Sequence, residues 1–143
     1  MEVRYVEPEL IIEINRKIIE EWNARHAEQP EFIGVSKDRL DEVLEIVRRA
    51  GKESDLEEKI IIKAAHLLGS LAWAQAFSGA NKRTAILSAT IFLRRNGLRF
   101  TIQKEHRREL RKMLFEVQEQ RNRLEQEIIN KIILYIKENV IPL

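Results

Sequence analysis

Apolar residues recur at intervals of three and four along most of the chain, the spacing of helices that bury one face. The first such segment begins at Pro8, where a proline suits a helix start, and we predict a helix to about His26. Its apolar stripe comprises Leu10, Ile11, Ile14, Ile18 and Trp22. A loop with Pro30 and Gly34 follows.

The next two helices are delimited by capping residues. We predict that Ser36 caps the second helix and that Gly51 ends it. Ser54 and Glu57 have the spacing of a capping box, so the third helix is predicted to start there and to reach about Phe77. The stripe of the second helix is Leu40, Val43, Leu44 and Val47.

A fourth helix is predicted from Lys82 to Asn96, with Gly97 as its stop. The third and fourth helices are apolar on nearly all sides, which indicates that they lie at the centre of a bundle. Residues 98–102 alternate and are predicted as a short strand or an extended turn. Residues 104–140 form one long helix, or two with a break near residues 120–122. Their core-facing positions are Leu110, Leu114, Val117, Leu124, Ile128, Ile132 and Tyr135.

Composition narrows the class of protein. A chain of 143 residues can bury roughly two-thirds of its unfolded surface, and we predict one all-α domain of about six helices over residues 1–143. The absence of cysteine excludes disulfides and thiolate metal sites. Residues 1–8 are charged and too short for a targeting segment, and no apolar run reaches the ~20 residues of a membrane span. We therefore expect a cytoplasmic protein.

Charges of both signs are mixed along the chain, with 34% charged residues and a net charge of +2. The densest basic strip is Arg107, Arg108, Arg111 and Lys112, and it is interrupted by Glu105, Glu109 and Glu116. Such spacing favours ion pairs along a helix. A surface that binds nucleic acid would have more Lys and Arg residues with fewer acidic residues between them. We do not expect a nucleic-acid partner, although a helical module that binds nucleic acid or another partner stays as an alternative.

The segment FSGANKRT, residues 77–84, has an unusual placement of charge. Lys82 and Arg83 fall in the first turn of an apolar helix, where the helix dipole makes each cation cost roughly 0.3–1 kcal/mol. Asn81 is a favourable N-cap, and the amides that follow have no partner within the helix. Free amides and two converging cations predict a phosphate site. The structural alternative is a capped helix with solvated surface charges.

In its context this segment resembles the signature of Fic/Doc proteins. QAFSGANKRTA at residues 75–85, followed by IFLRRNG at residues 91–97, is similar to the pattern His-x-Phe-x-Asp/Glu-Ala/Gly-Asn-Lys/Gly-Arg. Lys82 and Ile86 match the Doc (death-on-curing) branch. The resemblance implies a motif loop between the two central helices. It also implies transfer of a phosphate-containing group from a nucleotide to a hydroxyl on a protein target.

The resemblance implies roles for the motif positions. Asn81 and the amides of the helix start hold phosphates, Arg83 neutralises charge on the nucleotide, and Phe77 and Thr84 are structural. The phosphate-binding candidates are Gly79, Ala80, Asn81, Lys82 and Arg83. The implied ligand is ATP or another nucleotide, and the implied partners are a protein target and a small antitoxin.

Two positions depart from the pattern. Gln75 stands where the family has its general base, a histidine; a Gln amide cannot accept a proton near neutral pH, and loss of a positioned base removes about 10²–10⁴ in rate. Gly79 stands where an acidic residue helps to hold Mg²⁺, and it offers no carboxylate, so we do not expect Mg²⁺ to bind through this position. We predict a protein that binds phosphate but transfers it weakly or not at all. The alternative is an active Doc-like kinase or toxin with another base.

The histidines have no metal-ligand spacing, so no zinc site is predicted. His66 lies about 13.5 Å along the third helix from the motif's first position, too far to replace the base, and is interpreted as a core or interface residue. His26 and His106 are expected in solvent. Phe77 is interpreted as core, whereas Trp73 stays open between core and site.

Overall fold

The computed structural model describes residues 2–102 and 107–143. The predictions that involve Lys104, Glu105 and His106 lie outside the described residues. Within the described residues the chain forms six helices and two short strands, which confirms the predicted all-α bundle. They are α1 (Pro8–Arg25), α2 (Lys37–Arg49), α3 (Leu56–Ala74), α4 (Asn81–Arg95), β1 (Leu98–Phe100), α5 (Arg107–Glu119), α6 (Gln126–Glu138) and β2 (Val140–Pro142).

Helix α3 is the centre of the bundle and packs against α2, α4, α5 and α6. Gly69 makes the contact with α6 close: a β-carbon there would lie 3.1 Å from methyl groups of Ile129 and Ile132. Helix α4 is less enclosed than predicted. It packs on α1, α3 and β1, and Arg83 and Leu87 are exposed on its remaining face.

Helix α1 buries a different line of residues from the predicted stripe. Its fully buried positions are Ile11, Asn15 and Ile19, whereas Leu10 and Trp22 are only partly covered. The buried line therefore passes through a polar residue. An amide in this position needs hydrogen-bond partners, and Asn15 finds them in the functional site described below.

Helix α2 follows the prediction at both ends. The Ser36 hydroxyl accepts a hydrogen bond from the Arg39 amide at its start. At its end the buried Lys63 of α3 donates to the carbonyls of Val47, at 2.9 Å, and Arg48, at 2.7 Å. A cation at this place satisfies free carbonyls and complements the negative end of the helix dipole.

Helix α3 begins and ends at other residues than predicted. Its N-cap is Asp55, whose carboxylate accepts from the Glu58 amide at 2.9 Å, so the capping box predicted at Ser54 is wrong by one residue. The helix ends at Ala74, because Gln75 adopts a left-handed conformation with φ 52°.

The C-terminal part contains two helices, α5 and α6, with the break where one alternative placed it. The predicted short strand is β1, which pairs antiparallel with β2. The sequence did not indicate β2, since three residues are too few to show a period. No helix in residues 2–102 or 107–143 combines the length and apolar character that crossing a bilayer requires.

Candidate functional site

The segment between α3 and α4, residues 75–80, is called the motif loop here. It begins with Gln75, φ 52°, and ends with Ala80, φ 58°, both in the left-handed region. This conformation costs a non-glycine residue roughly 1–2 kcal/mol. Contacts from neighbouring elements must therefore hold the loop in shape.

Asn81 supplies one set of these contacts. Its buried side chain donates to the Phe77 carbonyl at 2.9 Å and to Gln75 Oε1 at 3.2 Å, and it accepts from the Phe77 amide at 3.1 Å. Ala80, not Asn81, is the N-cap of α4, so the predicted capping role is wrong. The Asn81 side chain is occupied within the loop, which leaves the backbone amides as the hydrogen-bond donors for an anion.

Asn15 of α1 holds the loop from the opposite side. Its amide nitrogen donates to the Gly79 carbonyl at 2.8 Å and to the Thr84 hydroxyl at 3.1 Å. Asn15 and Thr84 are both fully buried. These bonds explain the structural role predicted for Thr84 and the polar residue in the buried line of α1.

The loop between α1 and α2 pairs with the motif loop along their backbones. Val35 and Phe77 form an antiparallel bridge, flanked by the Ser78 amide donating to the Gly34 carbonyl at 3.0 Å. A β-carbon on Gly34 would lie 2.5 Å from Ser78 Oγ. A larger residue at position 34 would therefore displace the Ser78 hydroxyl from its present position.

The next feature of the site is the first turn of α4 with its backbone amides. Within the described residues, no hydrogen-bond acceptor faces the backbone nitrogens of Asn81, Lys82 or Arg83. The left-handed Ala80 precedes the right-handed helix, and such an alternation turns successive N–H groups towards one concave point. Arrangements of this kind at the positive end of a helix bind anions in other proteins.

A cleft of about 560 Å³ opens over these amides. Its lining includes three cations, Lys82, Arg83 and Arg111, and no carboxylate among the described residues. The other lining residues are Gln75, Ser78, Gly79, Ala80, Asn81, Ile86, Leu114, Phe115 and Gln118. Arg111 comes from α5. The sequence analysis assigns it to a basic strip with helix-spaced ion pairs and does not predict that it lines the cleft.

The two motif cations do not converge as predicted. The Lys82 ammonium lies 3.6 Å from the ring centroid of Phe115 on α5. The Arg83 guanidinium lies 5.6 Å from the ring centroid of Trp22 on α1. Neither takes part in an ion pair within the described residues. Both are thus positioned by aromatic rings, and no carboxylate of residues 2–102 or 107–143 pairs with them.

A second groove of about 390 Å³ adjoins the cleft and shares Arg83 and Ile86 with it. His26 and Trp22 stack in this groove with ring centroids 3.7 Å apart. His26 is exposed, as predicted. The aromatic stack, which the sequence did not indicate, fixes the ring on which Arg83 rests.

Gln75 lines the cleft but its side chain has structural partners. The amide nitrogen donates to the Ala72 carbonyl at 2.8 Å, and the oxygen accepts from Asn81. Among the described residues that line the cleft there is no histidine, aspartate or glutamate that could act as a base. His66 lies elsewhere on α3, and its pKa is lowered by burial and by the charge of Lys63.

The remaining aromatic candidates belong to the core. Phe77 is buried, as predicted. Trp73 packs against the core and donates its indole N–H to the Gln120 carbonyl at 2.9 Å, and it does not line the cleft. Trp73 therefore ties α3 to the turn after α5 and is not part of the site.

The donors available to a metal are few. No group of three or more histidine, aspartate and glutamate residues within residues 2–102 and 107–143 could hold an ion. A Mg²⁺ ion that binds with a nucleotide needs fewer protein ligands, commonly one or two carboxylates. The nearest carboxylate oxygen to the motif loop that the structure shows, Glu31 Oε2, lies beside Gly79, but it is buried and Glu31 is not among the residues that line the cleft.

Comparison with known proteins agrees with the geometry. Residues 5–93 match the family model described as the Fic/DOC family, which is more than half of the 143-residue chain. The matched region contains α1, α2, α3, the motif loop and most of α4. A comparison with curated proteins finds no significant match.

Proposed function

The chain belongs to the Fic/DOC family, and we propose that its cleft binds the phosphate groups of a nucleotide, of which ATP is the first candidate. The observation that supports this is a cleft lined by three cations, Lys82, Arg83 and Arg111, and by the start of α4, whose first amides have no acceptor within the described residues. No described residue that lines the cleft has a carboxylate. Such a lining gives the cleft a positive potential, which attracts negative oxygens.

We further propose that transfer from the bound nucleotide is weak or absent. Transfer to a hydroxyl forms a bond from the hydroxyl oxygen to phosphorus, breaks the bond from phosphorus to the leaving oxygen, and releases the hydroxyl proton to a base. Gln75 occupies the position of the family's histidine and can only hydrogen-bond that hydroxyl. The motif thus binds the nucleotide but has no group to take the proton.

Lys82 and Ile86 support an assignment to the Doc branch. The acceptor of any remaining transfer is then a hydroxyl of a protein target, and a small antitoxin is the partner that this branch suggests. The position of the transferred phosphate decides between a kinase reaction and transfer of a nucleotidyl group.

An incubation with cell lysate and ATP labelled at the α- or the γ-phosphate tests this proposal. We expect the wild-type chain to label proteins barely above background. Restoring the base and the carboxylate, with Gln75→His and Gly79→Asp, should raise labelling by up to about 10²–10⁴, the effect of a positioned base. The variant also includes Glu31→Ala, because a β-carbon at position 79 would lie 2.9 Å from Glu31 Oε2 and the new carboxylate would face a second one.

Gln118→His is the matched control, since it places a histidine in the same cleft but on α5. It should leave labelling at the wild-type level. Strong labelling by the wild-type chain, or equal labelling by the restored variant and the wild type, would contradict the proposal. A label retained from the γ- but not the α-phosphate identifies phosphoryl transfer.

A further inference from the structure

A cavity of about 440 Å³, called the basic cavity here, lies at the other end of α3 from the motif loop. It opens between the segment before α1, the end of α2 and the first turns of α3. Four cations, one carboxylate and three apolar or aromatic residues line it: Arg48, Lys52, Lys59, Lys63, Glu2, Val3, Tyr5 and Leu56. Lys63 lies about three turns, roughly 17 Å, before the end of α3 at Ala74. The basic cavity is therefore separate from the phosphate cleft.

Lys63 is a buried cation that lines this cavity. Only 2% of its surface is exposed, and its ammonium donates to the carbonyls of Val47 and Arg48. An ammonium has three N–H donors, and the third has no acceptor within the described residues. No carboxylate of residues 2–102 or 107–143 forms an ion pair with it. Because buried charges in proteins are normally paired, an anion in the cavity would supply the opposite charge that the described residues do not.

The three other cations raise the positive charge of the basic cavity. Lys52 and Lys59 form no ion pair with any described residue, and neither does Glu2. Arg48 reaches Glu45 of its own helix at 3.5 Å, at a surface where such a pair contributes little. Four cations against one carboxylate leave an excess of positive charge in the lining, and such an excess attracts anions.

We propose that the basic cavity is a second anion site, which binds a small molecule with two or more negative charges, such as a diphosphate. Ammonium groups bind phosphate oxygens as point charges, and a cavity of this volume is large enough for a small ligand. The Tyr5 ring, whose centroid lies 5.3 Å from the Lys63 ammonium, gives the site an aromatic wall. The proposal uses no residue of the motif loop and does not depend on the function proposed for the phosphate cleft.

Calorimetric titration of the full chain with pyrophosphate at low ionic strength tests this site. The background variant combines Lys82→Ala, Arg83→Ala and Arg111→Ala, so that the three cations of the phosphate cleft are absent. We expect this variant to bind pyrophosphate at one site. Adding Lys52→Ala and Lys59→Ala should weaken its affinity at least about tenfold, because hydrogen bonds to charged groups are lost.

A control and a second variant separate the site from general charge attraction. Adding Lys17→Ala and Lys37→Ala to the background removes the same charge from exposed positions that line neither the basic cavity nor the phosphate cleft. The control should keep the affinity of the background. Lys63→Met keeps the length of the side chain without its charge and should also weaken binding at least about tenfold. Circular dichroism checks its helix content, and Lys52→Ala with Lys59→Ala decides the test if that content falls.

Each outcome bears on one of the two sites. No binding by the background variant, or equal affinity with and without Lys52→Ala and Lys59→Ala, would overturn the second anion site whatever the phosphate cleft does. An equal loss in the Lys17→Ala, Lys37→Ala control would overturn it too, since net charge alone would then explain the binding. If the wild type and the background variant bind pyrophosphate with the same affinity and stoichiometry, phosphate binding in the cleft is contradicted while the second site stands.

Discussion

The buried side chain of Asn81 makes the hydrogen bonds that close the motif loop on itself, just before the first amides of α4. Its three hydrogen bonds satisfy both backbone groups of Phe77 and the side-chain oxygen of Gln75. The left-handed Gln75 and Ala80 lie at the two ends of the segment that these bonds close. Asn81, which the sequence predicts as a helix cap, therefore stabilises the motif loop through hydrogen bonds within the loop.

Replacing Asn81 with alanine should lower the free energy of unfolding by about 2–4 kcal/mol, because it leaves the buried amide and carbonyl of Phe77 without partners. Urea denaturation followed by circular dichroism measures this. Asn130→Ala is the control, since Asn130 is exposed on α6 and bonds to Gln126, and it should change the free energy by less than about 0.5 kcal/mol. A loss for Asn81→Ala as small as that of the control would contradict the bracing role.

Residue chemistry indicated the proposed phosphate site, but not all of the residues that form it. Lys82 and Arg83 were recognisable because cations are unfavourable at a helix start without an anion. Arg111, which lines the cleft, and Asn15, which holds the motif loop, were not, because each comes from another element. The spacing of residues along the sequence shows which of them lie on the same face of a helix. It does not show which helix faces pack against each other.

At the scale of elements, the hydrophobic period predicted the six helices, whereas short-range competition decided their ends. Asp55 rather than Ser54 caps α3. Both side chains can accept a hydrogen bond from the first amides of a helix, and the backbone conformation at the helix start decides which of them does. Strands β1 and β2 are about 40 residues apart in sequence. The residue pattern within either strand does not indicate which segment it pairs with. The central position of α3 was predictable because it is apolar on nearly all sides.

The same helix contains a partly buried histidine that should make stability depend on pH. Burial, and to a smaller extent the charge of Lys63, lowers the pKa of His66 below its ordinary value of 6.5. The unfolded chain then binds the proton more readily, so the free energy of unfolding should decrease as the pH falls below 6.5 towards the folded pKa. Above the unfolded value this contribution is fully present.

Urea denaturation at a series of pH values on either side of 6.5 measures this effect. His66→Gln should flatten the decrease on the acidic side, because the variant has no proton to bind at this position. An identical pH profile for the two proteins, or a wild-type chain that gains stability on acidification in this window, would contradict the burial of His66 as the cause.

For the molecule as a whole, the site is assembled from three regions of the chain. The family match ends at residue 93, yet α5 contributes Arg111 and Phe115 to the cleft, and the loop between α1 and α2 places Glu31 against Gly79. The motif alone gives the amides and two cations. The rest of the electrostatic environment depends on how the bundle packs, which is why it could not be predicted from the motif.

The most direct test of phosphate binding is a calorimetric titration with ATP, ADP, AMP and inorganic phosphate. It compares the wild-type chain with Lys82→Ala, Arg83→Ala, and with a control of equal charge change, Arg107→Ala, Arg108→Ala, whose residues are exposed on α5 and do not line the cleft. We expect the wild type and the control to bind, and the motif variant to lose at least about tenfold in affinity. Equal binding by all three proteins, or none by any, would contradict the account.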